Sequence, residues 1–156
     1  MADLKTKAMG IEFKNPVLAA SGTVGFGEEV SEIFDLSVLG GICSKGLTLS
    51  ERNGNTGIRL WETPMGLINS IGLQNPGVDN YINCELPRMK SYDTVIIANL
   101  GGHCEEDYFE GIYKLNESDV DLIELNISCP NIKTGGMAFG IKASSSYDIV
   151  SKIKKI

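Results

Sequence analysis

The stretch ELNISCPN, residues 124–131, closes an apolar run with a burst of polar side chains. Asn126, Ser128, Cys129 and Asn131 all carry groups that do chemistry, and Pro130 stiffens the turn among them. A thiol acts as a base or nucleophile once it loses its proton. A primary amide both donates and accepts hydrogen bonds. What a cysteine between two asparagines acts on depends on what the rest of the chain sets beside it. Three other polar sets follow apolar runs in the same way: Ala20-Ser21-Gly22, Ser44-Lys45-Gly46 and Asn99-Leu100-Gly101-Gly102. Gly, Ser and Asn fill such loops for turn chemistry alone. A lysine and a cysteine among four sets weaken that reading.

The elements that must carry these sets alternate. Strands are expected over about Val17 to Ala20, in GGICSKGLT, in DTVIIANLGG and in DVDLIELNISCPN. Helices are expected from Glu28 to Phe34, with Val30, Ile33 and Phe34 inward, and in VDNYINCELPRMK up to about Pro87. Two more are expected, in EEDYFEGIYKLN and in SSSYDIVSKIKKI with serine caps. Near-continuous apolar strands alternating with helices indicate a parallel sheet. LKTKAMGIEFKN reads as a hairpin before the first unit. The stretch from Leu49 to Pro76 is long, polar and glycine-rich, which in a compact domain usually marks function. In parallel α/β architectures the carboxyl ends of the strands share one face, where ligands bind. The four polar sets therefore converge on one mouth, and the inner face is expected from Val17, Ile42, Ile96 and Leu125 or their neighbours. The residues by themselves describe an α/β enzyme or small-ligand binder with a lysine and a cysteine in its mouth.

Composition narrows the class. Hydrophobic residues make up 42% and charged residues 22%, an ordinary globular balance. Fourteen basic against twenty acidic residues give a net charge of -6, which argues against a nucleic-acid or anionic-membrane surface. No apolar run reaches a membrane span, and MADLKTKAMGIEF lacks an apolar signal core, so a cytoplasmic protein is expected. Cys43, Cys84, Cys104 and Cys129 form no C-x-x-C pair, and with the single His103 they support no metal site. Cys43 and Cys84 are expected as small buried side chains, and His103-Cys104 at a strand end. GTVGFG, residues 22–27, has the wrong glycine spacing for a dinucleotide fingerprint and reads as a turn.

Taken together, NPVLAASG, CSKGLTLSERNGN, ETPMGLINSIGLQNPG, IANLGG and NISCPNIKTGG resemble the class 1 dihydroorotate dehydrogenases, from about Lys5 onward. Gly135, Gly136 and the Lys45-Gly46 pair resemble the class 1B catalytic subunit. The resemblance implies a (βα)8 TIM barrel with FMN at its C-terminal face, of which this chain holds the hairpin and about four βα units. Residues 1–156 would be the N-terminal half of one FMN-binding domain, because a full barrel needs about 250 residues. It implies oxidation of dihydroorotate to orotate in pyrimidine biosynthesis. Electrons would pass to NAD through a partner subunit carrying FAD and an iron–sulfur cluster, in a heterotetramer built on a homodimer.

By the same resemblance, Cys129 is the general base, and Lys45 touches both FMN and substrate. Ser21, Gly46, Asn99 and Asn126 contact the flavin. Asn69, Ser70, Ile71, Gly72, Leu73, Asn126 and Asn131 line the substrate, and Ile132 to Gly140 forms a lid. A fumarate-linked class 1A enzyme, a dihydropyrimidine dehydrogenase-like domain and an inactive half-barrel are the alternatives. Asn131 after Cys129-Pro130 favours dihydroorotate over the dihydropyrimidine family, which tends to carry histidine there.

Overall fold

A computed structural model describes residues 3–128 and 139–156. The chain opens with an antiparallel hairpin, β1 (Thr6–Ala8) on β2 (Ile11–Phe13). Four parallel strands then build the central sheet in the order β3 (Leu18–Ala19), β4 (Gly41–Cys43), β7 (Val95–Leu100), β8 (Leu122–Leu125). Helices connect them: α1 (Glu28–Ser31), α2 (Gly77–Asn80), α3 (Leu86–Met89), α4 (Glu105–Asn116) and, after β8, α5 (Ala143–Ile153).

Alternation along β7 decides which side is core. Ile96, Ala98 and Leu100 are fully buried and join Ile42, Tyr81, Met89, Tyr108, Leu115 and Ile149 in one apolar cluster between sheet and helices. Helix α4 presents Tyr108, Gly111, Ile112 and Leu115 to it, the i, i+3, i+4, i+7 stripe of an amphipathic helix. Gly111 allows the close approach, since a Cβ there would lie 2.9 Å from the Leu100 side chain. Ile42, Ile96 and Leu125 therefore serve the helical side and not the inner face. Their neighbours Cys43, Ile97 and Glu124 alternate to the other side of the sheet.

Several expected elements differ. The helix from Glu28 ends after one turn, and Ile33 is 86% exposed and Phe34 is also exposed. Asp35 accepts a hydrogen bond from Ser37 N at 2.9 Å and starts a 3-10 turn at Leu36–Val38, so the core is served by Leu36 instead. The helix expected to stop near Pro87 runs on to Met89, through a wide π turn at Tyr81–Glu85. Proline lacks the N–H for an ordinary helical bond, and a wider turn accommodates its ring. Lys142, not serine, stands at the start of α5. Ser146 lies in its first turn and donates to Phe139 O at 2.8 Å. Cys43 is buried as expected, but Cys84 is exposed on its helix. Cys104 precedes α4, whose Asp107 accepts from His103 N at 2.7 Å, so this pair begins a helix.

The Leu49–Pro76 stretch carries a second hairpin, β5 (Leu60–Thr63) on β6 (Gly66–Asn69), which stands away from the core. Among the described residues, no helix is long and apolar enough to cross a membrane, and no cluster of His, Cys, Asp or Glu could hold a metal ion.

Candidate active site

Backbone pairing continues past the strand ends and draws the polar loops together. Leu47 N donates to Asn99 O, Gly101 N to Leu47 O and Asn126 N to Leu100 O, each at 2.8 Å. Ser21 Oγ donates to Ser44 O at 2.8 Å, and Asn99 N donates to Ser44 Oγ at 3.1 Å. Gly46 sits at the centre. A Cβ there would lie 3.0 Å from Asn99 Oδ1, 3.2 Å from Leu73 Cδ1 and 3.6 Å from Asn126 Nδ2. Ser21, Gly46, Leu73, Asn99 and Asn126, from five separate segments, thus meet at one mouth.

Beside them, Lys45 lines an open cleft of about 420 Å³ with Gly25, Arg52, Gln74 and Asn75. Its N–H donates to Gly25 O at 2.9 Å, which ties the GTVGFG turn to the site.

The strip from Asn69 to Leu73 is held by its own loop. Asn55 Nδ2 donates to Ser70 O at 3.1 Å and Ser70 Oγ at 2.9 Å, and Asn55 N donates to Ile71 O at 3.0 Å. Gly72 has φ +79°, and a Cβ there would lie 2.6 Å from Asn55 N, so only glycine fits. Asn69 is exposed on β6, where it pairs with Leu60 across the hairpin. Buried Asn75 anchors the strip. It accepts from Thr48 N (3.0 Å) and Gly77 N (2.9 Å), and donates to Thr48 Oγ1 (3.0 Å) and Leu73 O (2.8 Å).

Cys129, Asn131 and Ile132 to Ala138 lie outside the described residues. Phe139, the first described residue after them, meets Tyr108 of α4 edge-on at 5.8 Å. Tyr108 Oη donates to Asn126 O at 2.7 Å.

Two contributors escaped the sequence reading, Tyr108 and Glu124. Glu124 Oε1 accepts from Asn99 Nδ2 at 2.5 Å and from Cys43 Sγ at 3.3 Å. Burial pushes the Cys43 thiol up to about 12, reinforced by the hydrogen bond to Glu124 and by its charge. At neutral pH the thiol is a donor. A charged residue inside an apolar strand, two positions before Asn126 and so on its face, was the available signal.

The model of the dihydroorotate dehydrogenase family matches residues 3–156. The chain belongs to the dihydroorotate dehydrogenase family. It is 55% identical over 156 residues to the "Dihydroorotate dehydrogenase B (NAD(+)), catalytic subunit" of Petrotoga mobilis, covering 100% of this chain and 52% of that protein. It is 51% identical over 154 residues to the subunit of the same name from Caldicellulosiruptor bescii, covering 99% and 51%. The chain spans about half the length of the curated relatives it matches. A crystal structure of DHODH in complex with ferulenol, from Eimeria tenella, aligns with TM-score 0.76 over 98% of this chain and 43% of that one. At 21% identity that likeness concerns the fold. The four-stranded parallel sheet with its connecting helices is a partial TIM-barrel fold.

Proposed function

We propose that the gene product carrying this chain oxidises dihydroorotate to orotate with FMN, within pyrimidine biosynthesis. In this reading residues 1–156 are the N-terminal half of one FMN-binding barrel domain. Electrons leave to NAD through a partner subunit bearing FAD and an iron–sulfur cluster, and the catalytic chains pair as a homodimer inside a heterotetramer. The observation that carries the reading is the meeting of Gly46, Leu73, Asn99 and Asn126 at the carboxyl ends of parallel strands. The relatives' names supply the substrate and the acceptor.

The residues fit a flat, hydrogen-bonding ring. Gly46 leaves the space that a side chain would fill. Asn99 and Asn126 each spend one amide N–H on a neighbour, which leaves the other N–H for a ligand. Ser21 keeps its lone pairs after donating to Ser44 O.

The flavin, when bound, supplies the hydride acceptor. This chain's residues do the rest. Dihydroorotate becomes orotate by losing a hydride from one ring carbon and a proton from its neighbour, and a C=C bond forms between them. Cys129 takes the proton, and the cationic Lys45 offsets the substrate carboxylate. Asn69, Asn126 and Asn131 bond the ring amides, while Ser70, Ile71, Gly72 and Leu73 bound its edge. Residues 132–140 keep water out.

Anaerobic mixing of the purified gene product with dihydroorotate tests this. The yellow flavin band is expected to bleach with dihydroorotate and to persist with dihydrouracil. A colourless preparation, or bleaching by dihydrouracil instead, overturns the reading.

A further inference from the structure

Cys43, Glu124, Asn99 and Asn126 form one continuous hydrogen-bonded line that ends at the proposed ring site. Asn99 and Glu124 are directly opposed across β7 and β8. Asn99 Nδ2 donates to Glu124 Oε1 at 2.5 Å, and Asn126 Nδ2 donates to Asn99 Oδ1 at 3.1 Å. Asn126 Oδ1 in turn accepts from Ser128 N and Ser128 Oγ, both at 3.4 Å.

The direction of this line is not free. An ionised carboxylate has no proton to give, so whatever faces it must donate. Asn99 must point its NH2 at Glu124, which turns its oxygen to Asn126. That oxygen can only accept, so Asn126 must point its NH2 at Asn99 and its oxygen at Ser128. Cys43, held protonated, donates to the same Glu124 Oε1 at 3.3 Å.

We propose that Glu124 is a positioning residue. Its carboxylate fixes which end of the Asn99 and Asn126 amides faces the ring site, and so the donor and acceptor pattern offered to flavin and substrate. This rests on the reading of Asn99 and Asn126 as flavin and substrate contacts. Glu124 itself acts through them. An amide has nearly the same shape either way round, so packing alone leaves both flips available. The carboxylate removes one.

The test uses the purified gene product, labelled with 15N-asparagine, and reads the side-chain amide resonances of Asn99 and Asn126 by NMR. Glu124→Gln keeps the shape but can donate as well as accept. It is expected to shift both sets of amide resonances and to weaken orotate binding at least tenfold. Adding Asn99→Asp to Glu124→Gln reverses the first link and restores an acceptor-only group beside Asn126. The double variant is expected to return the Asn126 resonances to their parental positions, although Asn99 is gone. A purely structural role for Glu124 predicts no such rescue.

Unchanged Asn126 resonances in Glu124→Gln, or no rescue in the double variant, overturn the proposal. If Glu124→Gln does not accumulate folded, the double variant is compared with the parent alone. Parental Asn126 positions then support the proposal and altered ones overturn it. Flavin absorbance is recorded on the same samples. A parent protein that shows the amide pattern but carries no flavin sinks the functional reading and leaves only the orientation of the two amides by Glu124.

Discussion

One thiol of this chain is buried as a donor, and another is proposed as a base. Cys43 is buried against the Glu124 carboxylate, and its pKa is pushed from 9.0 up to about 12, chiefly by burial. In the unfolded chain the thiol ionises first as pH rises. The stability contributed by its neutral buried form is therefore full below about pH 9 and is lost towards about pH 12. Urea titrations across that window are expected to show a steeper alkaline loss in the parent than in Cys43→Ala; equal slopes contradict it. Cys43 should also resist alkylation near neutral pH, while exposed Cys84 reacts. Cys129 carries the opposite assignment. Cys129→Ala should keep FMN but slow dihydroorotate-driven flavin reduction by about 10² to 10⁴, the usual worth of a general base. Reduction at the parental rate removes Cys129 from that role. Lys45→Ala should weaken orotate and FMN together, and unchanged titrations of both would leave a solvated lysine. The convergence of Ser21, Gly46, Asn99 and Asn126 was legible because each follows an apolar run that reads as a parallel strand. For Glu124 the sequence marks only the face it shares with Asn126, and its amide partner appears once the register opposes it to Asn99.

Elements with strong periodicity were read nearly as they stand. β7, α4 and β8 have long apolar runs or a clear helical stripe, and burial of those faces enforces them. The β5–β6 hairpin was missed because burial does not enforce it. Trp61 is 61% exposed and Met65 97%, and apolar residues lie on both faces with no period-two pattern to read. Its turn is fixed locally, with Thr63 Oγ1 donating to Gly66 O at 3.0 Å. What secures the long connection to the sheet is Asn75, through bonds to Thr48, Leu73 and Gly77. Asn75→Ala leaves buried N–H and C=O groups unpaired, each costing about 1–3 kcal/mol. The urea midpoint should fall clearly, and orotate affinity should fall with it because Leu73 loses its anchor. Asn75→Asp can still accept from Thr48 N and Gly77 N, and should lie between parent and alanine. An alanine variant with parental midpoint and affinity would mean that the Asn75–Pro76–Gly77 turn holds itself.

At the scale of the whole molecule, the sheet's geometry predicts how residues 1–156 behave when expressed by themselves. Among the described residues, β3 and β8 are each paired on one side only. The outer side of β8 carries a row of backbone donors and acceptors along Leu122–Leu125. Open edges of this kind recruit further chains. The helical face offers no such need, since its apolar cluster is already covered. On the opposite face Glu124 is exposed and Val17 is exposed at the rim, while Ile97, Asn99 and Cys43 are buried. The β5–β6 hairpin adds Leu60, Trp61, Leu67 and Ile68 to the exposed apolar surface. Both effects drive association, because neither unpaired strand groups nor contiguous apolar area is stable against water when a second copy is available. Light scattering on residues 1–156 should therefore show dimers or larger species whose size grows with concentration. Placing a proline at Ile123, within β8, should reduce that growth if the edge is the contact, because proline cannot donate to a new ladder. If instead Trp61→Lys abolishes association and Ile123→Pro does not, the hairpin is the contact. A monodisperse monomer at high concentration would show that this sheet tolerates two open edges without recruiting a second copy.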